Sequence, residues 1–243
     1  MTPAPAASPW FLRPPSTDAY ARIFCFPYSG AGASAFSAWP AAIGPAEVCP
    51  LQFPGRENRL AEPHYGSVEN LVAAVAEALA PRLDQPYALF GHCAGALLAY
   101  ETAVRLTERG APQPGRLVVS GQPPPHDAAR DRMFTMTEPE LRAEVTAVVR
   151  RRGIEPRPDM VDMGLAVLLR DLAAAREYQR AEPVVLKCPI LVLRWRDDAD
   201  VTLDELQGWR RYSDEVGFEV VDGGRHDFAD PPGPWGTALT PAQ

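Results

Sequence analysis

Short apolar runs alternate with longer stretches of helical periodicity along most of the chain. The runs are bounded by Gly, Pro or Asp, which is typical of strands that are buried on both faces of a sheet. The strand candidates are Arg22–Phe26, Val48–Phe53, Tyr87–Phe90, Leu117–Ser120, Ile190–Trp195 and Phe218–Val221. The helix candidates between them are Val68–Ala80, Ala94–Arg109 and Leu203–Tyr212. This alternation predicts an α/β domain with a mostly parallel sheet and helices on both faces.

One stretch breaks the alternation, because residues 133–182 carry helical patterns with no clear strand between them. The first helix, Leu141–Arg152, follows a capping box at Thr137–Glu140, and the second is Val161–Gln179. Ligands of α/β sheets bind at the carboxyl ends of the strands. An insertion over about residues 125–185 is therefore expected to form a lid over the ligand crevice. A plain packing pair of helices is the alternative.

The sequence predicts a single domain preceded by a short N-terminal segment. Residues 1–17 are rich in Pro and Ala and are expected to form a flexible N-terminal segment. Residues 18–243 are expected to form one domain that includes the lid. A chain of 243 residues and 26.5 kDa can bury one sizeable core, and its 46% hydrophobic and 23% charged residues are ordinary for a globular protein.

Charge and cysteine content exclude several classes of protein. The net charge of −7 and the pI near 5.2 argue against binding to a nucleic-acid backbone. No uncharged apolar run approaches the roughly 18 residues that span a bilayer, and the N-terminus lacks the basic and apolar regions of a secretory signal. Four cysteines are too few for a disulfide scaffold, so a reducing, cytoplasmic location without membrane or nucleic-acid partners is predicted.

The strongest local signal for chemistry is Gly91-His92-Cys93-Ala94-Gly95. It follows the Tyr87–Phe90 strand, opens the next helix and matches the G-x-S-x-G nucleophile elbow, with Cys where Ser normally stands. A tight strand-to-helix turn needs flanking residues without a bulky Cβ atom, which explains Gly91 and Gly95. The Ala94 amide can donate to an oxyanion, and the helix N-terminus favours a thiolate at Cys93. A buried structural cysteine is the alternative.

A thiol nucleophile needs a base and an acid that orients the base. Elbow hydrolases carry them in the order nucleophile, acid, histidine, and His226 follows the last predicted strand in a Gly-rich loop. His126, in a Pro-rich loop, is the other histidine after Cys93. Asp197, Asp198 and Asp200 all follow the Ile190–Trp195 strand, so the acid is one of these carboxylates.

The sequence contains no CxxC or HExxH spacing, no P-loop and no G-x-G-x-x-G. It therefore predicts no metal site and no bound cofactor.

Several of these segments together resemble the type II thioesterases of polyketide and nonribosomal peptide assembly lines, within the α/β-hydrolase superfamily. The resemblance covers roughly Ile23 to Phe228. It rests on an F-P-x-x-G segment, a P-G-R-E-x-R loop, the elbow, two lid segments and a P-I-x-x-L … D … V … W pattern. These are Phe26–Ala31, Leu51–Arg59, Gly91–Gly95, Met136–Arg152, Arg170–Tyr178 and Pro189–Leu193 followed by Asp198, Val201 and Trp209.

The resemblance implies an α/β-hydrolase fold with a helical lid, and a role for each matching residue. Cys93 is implied as the nucleophile, His226 as the general base and then acid, and Asp198 as the acid that holds the imidazole. The backbone amides of Ser29 and Ala94 are implied as the oxyanion hole. Substrates of the family are acyl chains on the phosphopantetheine arm of a carrier protein, so that arm belongs to the substrate.

Three features depart from the family pattern. Cys93 replaces the usual serine. The usual G-G-H-F-F becomes Gly-Gly-Arg-His-Asp-Phe at 223–228, which is one residue longer. The chain after Phe228 is rich in Pro and Gly and lacks the usual closing helix.

Three functions are consistent with this sequence. The first is hydrolysis of acyl or aminoacyl thioesters from carrier proteins through an acyl-Cys93 intermediate, in secondary-metabolite biosynthesis. The second is transfer of that acyl group to another thiol or an amine, including condensing or cyclising variants, because a thioester on Cys93 stays activated. The third is a non-catalytic scaffold that binds a carrier protein.

A carrier protein is usually acidic, and this chain is acidic too, so docking requires a local basic patch. Arg150, Arg151 and Arg152, at the end of a predicted lid helix, form the densest basic cluster. A solvated helix C-terminus that complements the helix dipole is the alternative.

Overall fold

A seven-stranded sheet organises the molecule in the computed structural model, which describes residues 8–130, 132–180 and 182–241. The strands lie in the order β2-β3-β1-β4-β5-β6-β7, and every neighbouring pair is parallel except β2 with β3. The strands are β1 Ala21–Phe26, β2 Ala42–Ile43, β3 Ala46–Pro50, β4 Tyr87–His92, β5 Arg116–Ser120, β6 Ile190–Trp195 and β7 Val216–Val221. The predicted strands and the mostly parallel sheet are confirmed, while β2 is too short to leave a pattern in the sequence.

The helices follow the predicted periodicity closely. They are α1 Val68–Leu79, α2 Ala94–Glu108, α3 Glu138–Arg151, α4 Pro158–Glu177 and α5 Leu203–Leu206. Thr202 caps α5 as expected, but the helix continues only as a 3₁₀ turn over Gln207–Arg211. Gly208 explains the difference, since glycine weakens a helix and a Cβ atom there would lie 2.7 Å from Pro124 Cγ.

The two faces of the sheet are covered differently. On one face, α1 and α2 pack against alternating strand residues such as Phe24, Leu89 and Val119. On the other face, Ile23, Phe90 and their neighbours contact three short 3₁₀ segments instead of long helices. These segments are Ala33–Phe36, Arg225–Ala229 and Pro234–Leu239. Helices therefore cover both faces, as predicted, but the second layer is thin.

Part of the N-terminal segment packs onto the domain. Phe11 is 5% exposed and pairs with Leu51 in an antiparallel bridge, and the Gln52 N–H donates to the Trp10 carbonyl at 2.8 Å. At these positions the segment contacts the domain through a buried Phe11 and a half-buried Trp10, while the flexible segment over 1–17 stays a prediction. Residues 1–7 lie outside the described residues, and the domain boundaries stay a prediction.

The Pro- and Gly-rich C-terminus closes one face of the sheet. Trp235 packs against the rings of Trp39, Phe90 and Trp195, with centroid separations of 5.8, 6.2 and 5.9 Å. The Arg116 side chain donates to the carbonyl of Ala238 at 2.8 Å. Trp235 and the fully buried Leu239 thus anchor the C-terminal segment to the core.

The helical insertion lies between β5 and β6 and has its own small core. Leu141 of α3 packs with Leu165, Leu168 and Leu172 of α4. Thr137 and Glu140 form the predicted capping box at the start of α3. Asp131 and Ala181, within the predicted insertion, lie outside the described residues. Within the described ranges, no helix is long and apolar enough to cross a membrane.

We expect Trp235→Ala to lower the free energy of unfolding by about 3–5 kcal/mol, because it removes an aromatic side chain that is only 8% exposed. Tyr20→Ala, at an aromatic residue that is 61% exposed, should change it by less than about 0.5 kcal/mol. Urea denaturation of both variants measures the difference. Equal stability of the two would contradict the anchoring role of the C-terminus.

Candidate active site

Cys93 occupies a strained turn between β4 and α2. Its backbone has φ +52° and ψ −134°, a conformation that is rare for any residue other than glycine. The Cys93 N–H donates to the Ser120 carbonyl at the end of β5, at 2.9 Å. Such strained positions persist only where surrounding contacts enforce them, and they cluster at functional sites.

Two glycines make this turn possible. A Cβ atom on Gly91 would lie 2.1 Å from the Gly95 carbonyl oxygen. A Cβ atom on Gly95 would lie 2.3 Å from the Phe26 carbonyl oxygen of β1. Both approaches are far shorter than a real contact, so the elbow packs only with glycine at both positions, as the sequence predicts.

Cys93 lines a cavity of about 410 Å³ together with His226, Ser29 and the lid helices. Most of the cavity wall is apolar. The apolar side chains from the insertion are Met133, Val145, Val148, Val149, Ile154, Met160 and Leu168. The insertion therefore lies over the carboxyl ends of the strands, and it is more than a packing pair of helices.

His226 shares the cavity with Cys93, as expected from its place after β7. Burial lowers the pKa of this imidazole, and the positive charges of Arg225 and Arg151 lower it further. The carboxylates of Glu144 and Asp198 act in the opposite direction. The net effect favours the neutral imidazole, which is the form that can accept a proton.

Asp198 lies in the expected loop but does not hydrogen-bond to His226. Its Oδ1 accepts the Asp200 N–H at 2.9 Å, and its Oδ2 is buried without a hydrogen-bond partner among the described residues. The triad expected from the sequence is therefore incomplete in this geometry, and Asp198 acts on His226 through its charge. Arg225, which directly precedes His226 in the chain, contacts Cys93 and Asp200.

Arg225 is the site residue that the sequence analysis missed. Its Nη2 donates to Cys93 Sγ at 3.1 Å, and its Nη1 donates to Asp200 Oδ2 at 3.2 Å. Asp200 also pairs with the Nε of Arg132 at 2.9 Å. The available signal was the arginine inserted between Gly224 and His226, where the family pattern has the histidine directly after the glycines.

The other histidines have different surroundings. His92 lines the cavity, but its ring is buried, stacks on Phe228 and contacts Ser120 Oγ through Nδ1 at 2.9 Å. Burial, with the nearby charges of Arg225 and His226, holds the pKa of His92 well below its usual range. His126, the alternative base, contacts the Tyr212 hydroxyl at 2.8 Å and does not line the cavity with Cys93.

The residues expected to form the oxyanion hole flank Cys93. Ser29 lines the cavity, and Ala94 begins α2 directly after Cys93. Neither the Ser29 nor the Ala94 N–H donates to another described residue, so both donors are available to a ligand. The next amide, Gly30, is already bound to Asp171 of α4 at 2.7 Å.

Asp171 joins the lid to the Ser29 loop and to the P-G-R-E-x-R loop. Arg56 donates to both carboxylate oxygens at 2.7 Å, and His64 Nε2 and the Tyr65 hydroxyl contact Oδ1 at 2.8 and 2.7 Å. Burial alone would raise the pKa of this carboxyl, but contacts with His64, Arg56 and Gly30 outweigh burial and lower it to about 2. The lid helix is thus fixed to the loop that carries Ser29.

The three arginines at the end of α3 have different surroundings. Arg151 forms an ion pair with Asp227, and Arg152 lines the cavity and donates to Ser34 Oγ at 3.1 Å. Arg150 is exposed. Their role in carrier docking stays a prediction.

The structure also shows the surroundings of possible metal ligands and of the other three cysteines. Among the described residues, no group of three or more His, Cys, Asp or Glu side chains is placed to hold a metal ion. Cys25, Cys49 and Cys188 are buried free thiols. Burial raises the pKa of each of them, to about 11 for Cys188, which makes them poor nucleophiles.

Asp171→Ala is expected to lower the free energy of unfolding by about 3–5 kcal/mol, since it leaves the buried Arg56 charge without its partner. Asp162→Ala, which breaks an exposed ion pair with Arg142, should cost less than about 1 kcal/mol. Chemical denaturation of both variants compares them. A loss at Asp171 no larger than at Asp162 would contradict its role in fixing the lid.

Comparisons with known proteins place this geometry in a family. The model of the thioesterase domain matches residues 21–230. The gramicidin S biosynthesis protein GrsT of Aneurinibacillus migulanus is 32% identical over 235 residues, which are 94% of this chain and 91% of that protein. The thioesterase PikA5 of Streptomyces venezuelae is 33% identical over 205 residues, covering 82% of this chain and 72% of that protein.

A solved structure gives the same result for the fold. RedJ, a thioesterase from the prodiginine biosynthetic pathway in Streptomyces coelicolor, is 35% identical and superposes with a TM-score of 0.79. The alignment covers 96% of this chain and 92% of RedJ. With the elbow at Cys93 and the helical insertion above it, the chain belongs to the thioesterase family of hydrolases and has the α/β-hydrolase fold.

Proposed function

We propose that this protein hydrolyses acyl or aminoacyl thioesters carried on the phosphopantetheine arm of a carrier protein, in the biosynthesis of secondary metabolites. The observation that carries the proposal is the strained elbow that presents Cys93, together with His226, to an apolar cavity under the lid. GrsT and RedJ, which this chain resembles over most of its length, are named for gramicidin S and prodiginine biosynthesis.

The first half of the reaction is acyl transfer to Cys93. Sγ loses its proton to neutral His226 and attacks the thioester carbonyl carbon. The negative charge that develops on the carbonyl oxygen is stabilised by the Ser29 and Ala94 N–H groups. When the carbonyl re-forms, the bond to the pantetheine sulfur breaks, and that sulfur leaves with a proton from His226.

The second half is hydrolysis of the acyl-Cys93 thioester. Neutral His226 takes a proton from water, and the oxygen attacks the same carbonyl carbon. The C–Sγ bond then breaks, Sγ recovers a proton, and the free acid leaves. Asp198 favours the transient imidazolium by its charge, because its carboxylate raises the pKa that the surroundings of His226 otherwise lower.

The cavity favours a substrate with an apolar acyl group. Its wall is built largely from aliphatic and methionine side chains of the lid, and its volume of about 410 Å³ can hold a chain of moderate length. The two half-reactions use side chains and amides of this protein, water, and the phosphopantetheine arm of the substrate. The carrier protein is the partner that supplies the arm and its acyl group.

Transfer of the acyl group to a second thiol or an amine is the alternative function. Cys93 favours this alternative, because an acyl group moved from one thiol to another remains an activated thioester, whereas serine would form a less reactive oxygen ester. The access of water to the acyl-Cys93 carbonyl decides between the two functions.

Intact-mass measurements with an acyl-loaded carrier protein test the proposal. We expect a transient acyl adduct on the enzyme and release of the free acid, no adduct with Cys93→Ala, and an unchanged adduct with Cys188→Ala, whose thiol is buried. A lasting adduct that only a second carrier or an amine discharges would instead support transfer. Binding without any adduct would support a scaffold and would contradict both enzymatic functions.

Cys93→Ser adds a second readout to the same assay. If the wild-type thiol is compatible with water as the acceptor, the serine variant should not hydrolyse the substrate faster than the wild type. Faster hydrolysis by Cys93→Ser would mean that the thiol suppresses hydrolysis, and it would favour the transferase.

The pH dependence of deacylation reports on His226. Its lowered pKa keeps the imidazole neutral in mildly acidic solution, so the acidic limb should have its midpoint below the ordinary value of about 6.5. Asp198→Asn removes a charge that favours the imidazolium and should lower the midpoint further, while Asp222→Asn, in an exposed ion pair with Arg196, should leave it unchanged. An upward shift in Asp198→Asn would contradict this assignment.

A further inference from the structure

We propose that Arg225 is a second catalytic residue, which holds the Cys93 sulfur as a thiolate before the attack and again when the sulfur leaves the acyl group. The inference rests on the proposed function in one respect, because it takes Cys93 as the nucleophile. It goes beyond that function by changing its proton transfers. Arg225 stabilises Cys93 Sγ as a thiolate, so His226 does not have to take the Cys93 proton or protonate the pantetheine sulfur, and it acts on the water.

Geometry carries the proposal. Arg225 Nη2 lies 3.1 Å from Cys93 Sγ, which is within hydrogen-bonding distance for a nitrogen donor and a sulfur acceptor. Its Nη1 donates to Asp200 Oδ2 at 3.2 Å. One nitrogen of the guanidinium is therefore bound to Asp200, and the other points at the sulfur. Arg225 is only 12% exposed, which limits screening of its charge by water.

The other charges around Cys93 are mixed in sign. The titratable and charged side chains that line the cavity are Tyr28, Glu57, His92, Arg132, Glu144, Arg152, Arg225 and His226. Asp200 is shared between Arg225 and Arg132, and Glu144 pairs with Arg132 at 2.9 Å. Asp200 and Glu144 are thus paired with arginines, Glu57 accepts hydrogen bonds from Ser34, and Asp198 Oδ2 has no hydrogen-bond partner among the described residues. Arg225 directs a donor at Sγ.

The surroundings of His226 also favour separate roles for Arg225 at the sulfur and His226 at the water. In a thiolate–imidazolium pair, the histidine carries the positive charge that stabilises the sulfur. Here, burial and the adjacent Arg225 lower the pKa of His226 and disfavour the imidazolium. A permanent guanidinium can hold the thiolate while His226 stays neutral, and a neutral imidazole is the form that deprotonates water.

With Arg225 in this role, each bond and each proton in the reaction is accounted for. In the free enzyme, the Cys93 proton is released to solvent and Arg225 stabilises the anion. The thiolate forms the C–Sγ bond, the bond to the pantetheine sulfur breaks, and that sulfur leaves as a thiolate that takes a proton from water. In hydrolysis, His226 accepts the water proton, the C–Sγ bond breaks and Sγ returns to Arg225 as the thiolate. The proton on His226 then passes to solvent.

The test is the pH dependence of Cys93 alkylation by iodoacetamide, which needs no carrier and no thioester. In the wild type, the midpoint should lie well below the value of about 8.5 for an ordinary cysteine. Arg225→Gln should raise it by about one to two pH units, because it removes a positive charge in contact with the sulfur. Arg225→Lys should keep most of the wild-type reactivity. Arg152→Gln, which removes a charge from the same cavity, should shift the midpoint less.

Two results would overturn the proposal: a wild-type midpoint at or above that of an ordinary cysteine, or an Arg225→Gln midpoint equal to the wild type. The first can be measured without an Arg225 variant, from the thiolate ultraviolet absorbance of the wild type minus that of Cys93→Ala across the pH range. Neither measurement depends on turnover. Failure of the acyl-adduct experiment alone therefore refutes the proposed function, and an unshifted alkylation profile alone refutes the role of Arg225.

Single-turnover kinetics separate the two residues further. Arg225→Gln should slow formation of the acyl adduct at neutral pH by about 10- to 100-fold, in line with the shift of the alkylation profile. His226→Ala should form the adduct and accumulate it, because water is no longer activated. Loss of adduct formation in His226→Ala with unchanged formation in Arg225→Gln would reverse the roles and contradict the proposal.

Discussion

The conformation of one residue, Cys93, is the constraint on which the site depends. A left-handed backbone at a residue with a side chain is unfavourable, and it persists because Gly91 and Gly95 let α2 approach β4 and β1 more closely than any Cβ atom would allow. This close packing places Cys93 in the cavity at the carboxyl edge of the sheet, and Ala94 begins α2 directly after it. The proposed nucleophile and one of the two proposed oxyanion-hole residues thus come from a single turn.

The second constraint is the buried carboxylate of Asp171. It neutralises Arg56, accepts the Gly30 N–H and binds two further side chains, so the lid helix α4 and two loops share one fully paired ionic centre. Because a buried charge without partners is very unfavourable, these segments are held together as a unit. The loop that carries Ser29 therefore has a fixed position relative to the lid that forms the cavity wall.

The charges of Arg225 and His226 influence the chemistry of the cavity. The guanidinium of Arg225 and the imidazole of His226 are neighbours in the chain and enter the same cavity, and the first disfavours protonation of the second. A permanent cation in contact with the sulfur and a neutral imidazole in the same cavity are consistent with the proposed thiol nucleophile. A serine nucleophile, in contrast, needs a base to take its proton.

The sequence alone determined the strands, the main helices, the elbow and the entry of His226 into the site, because each depends on local signals: apolar runs, capping residues, and glycines where a Cβ atom would clash. Only the tertiary structure decided the places of Trp10, Phe11 and Trp235, since their partners lie far away in the chain. It also decided that Arg225 contacts Cys93 while Asp198 Oδ2 stays unpaired. Arg225 is 132 residues from Cys93 in the chain, so the contact between them depends on how distant segments pack, which spacing along the chain does not specify.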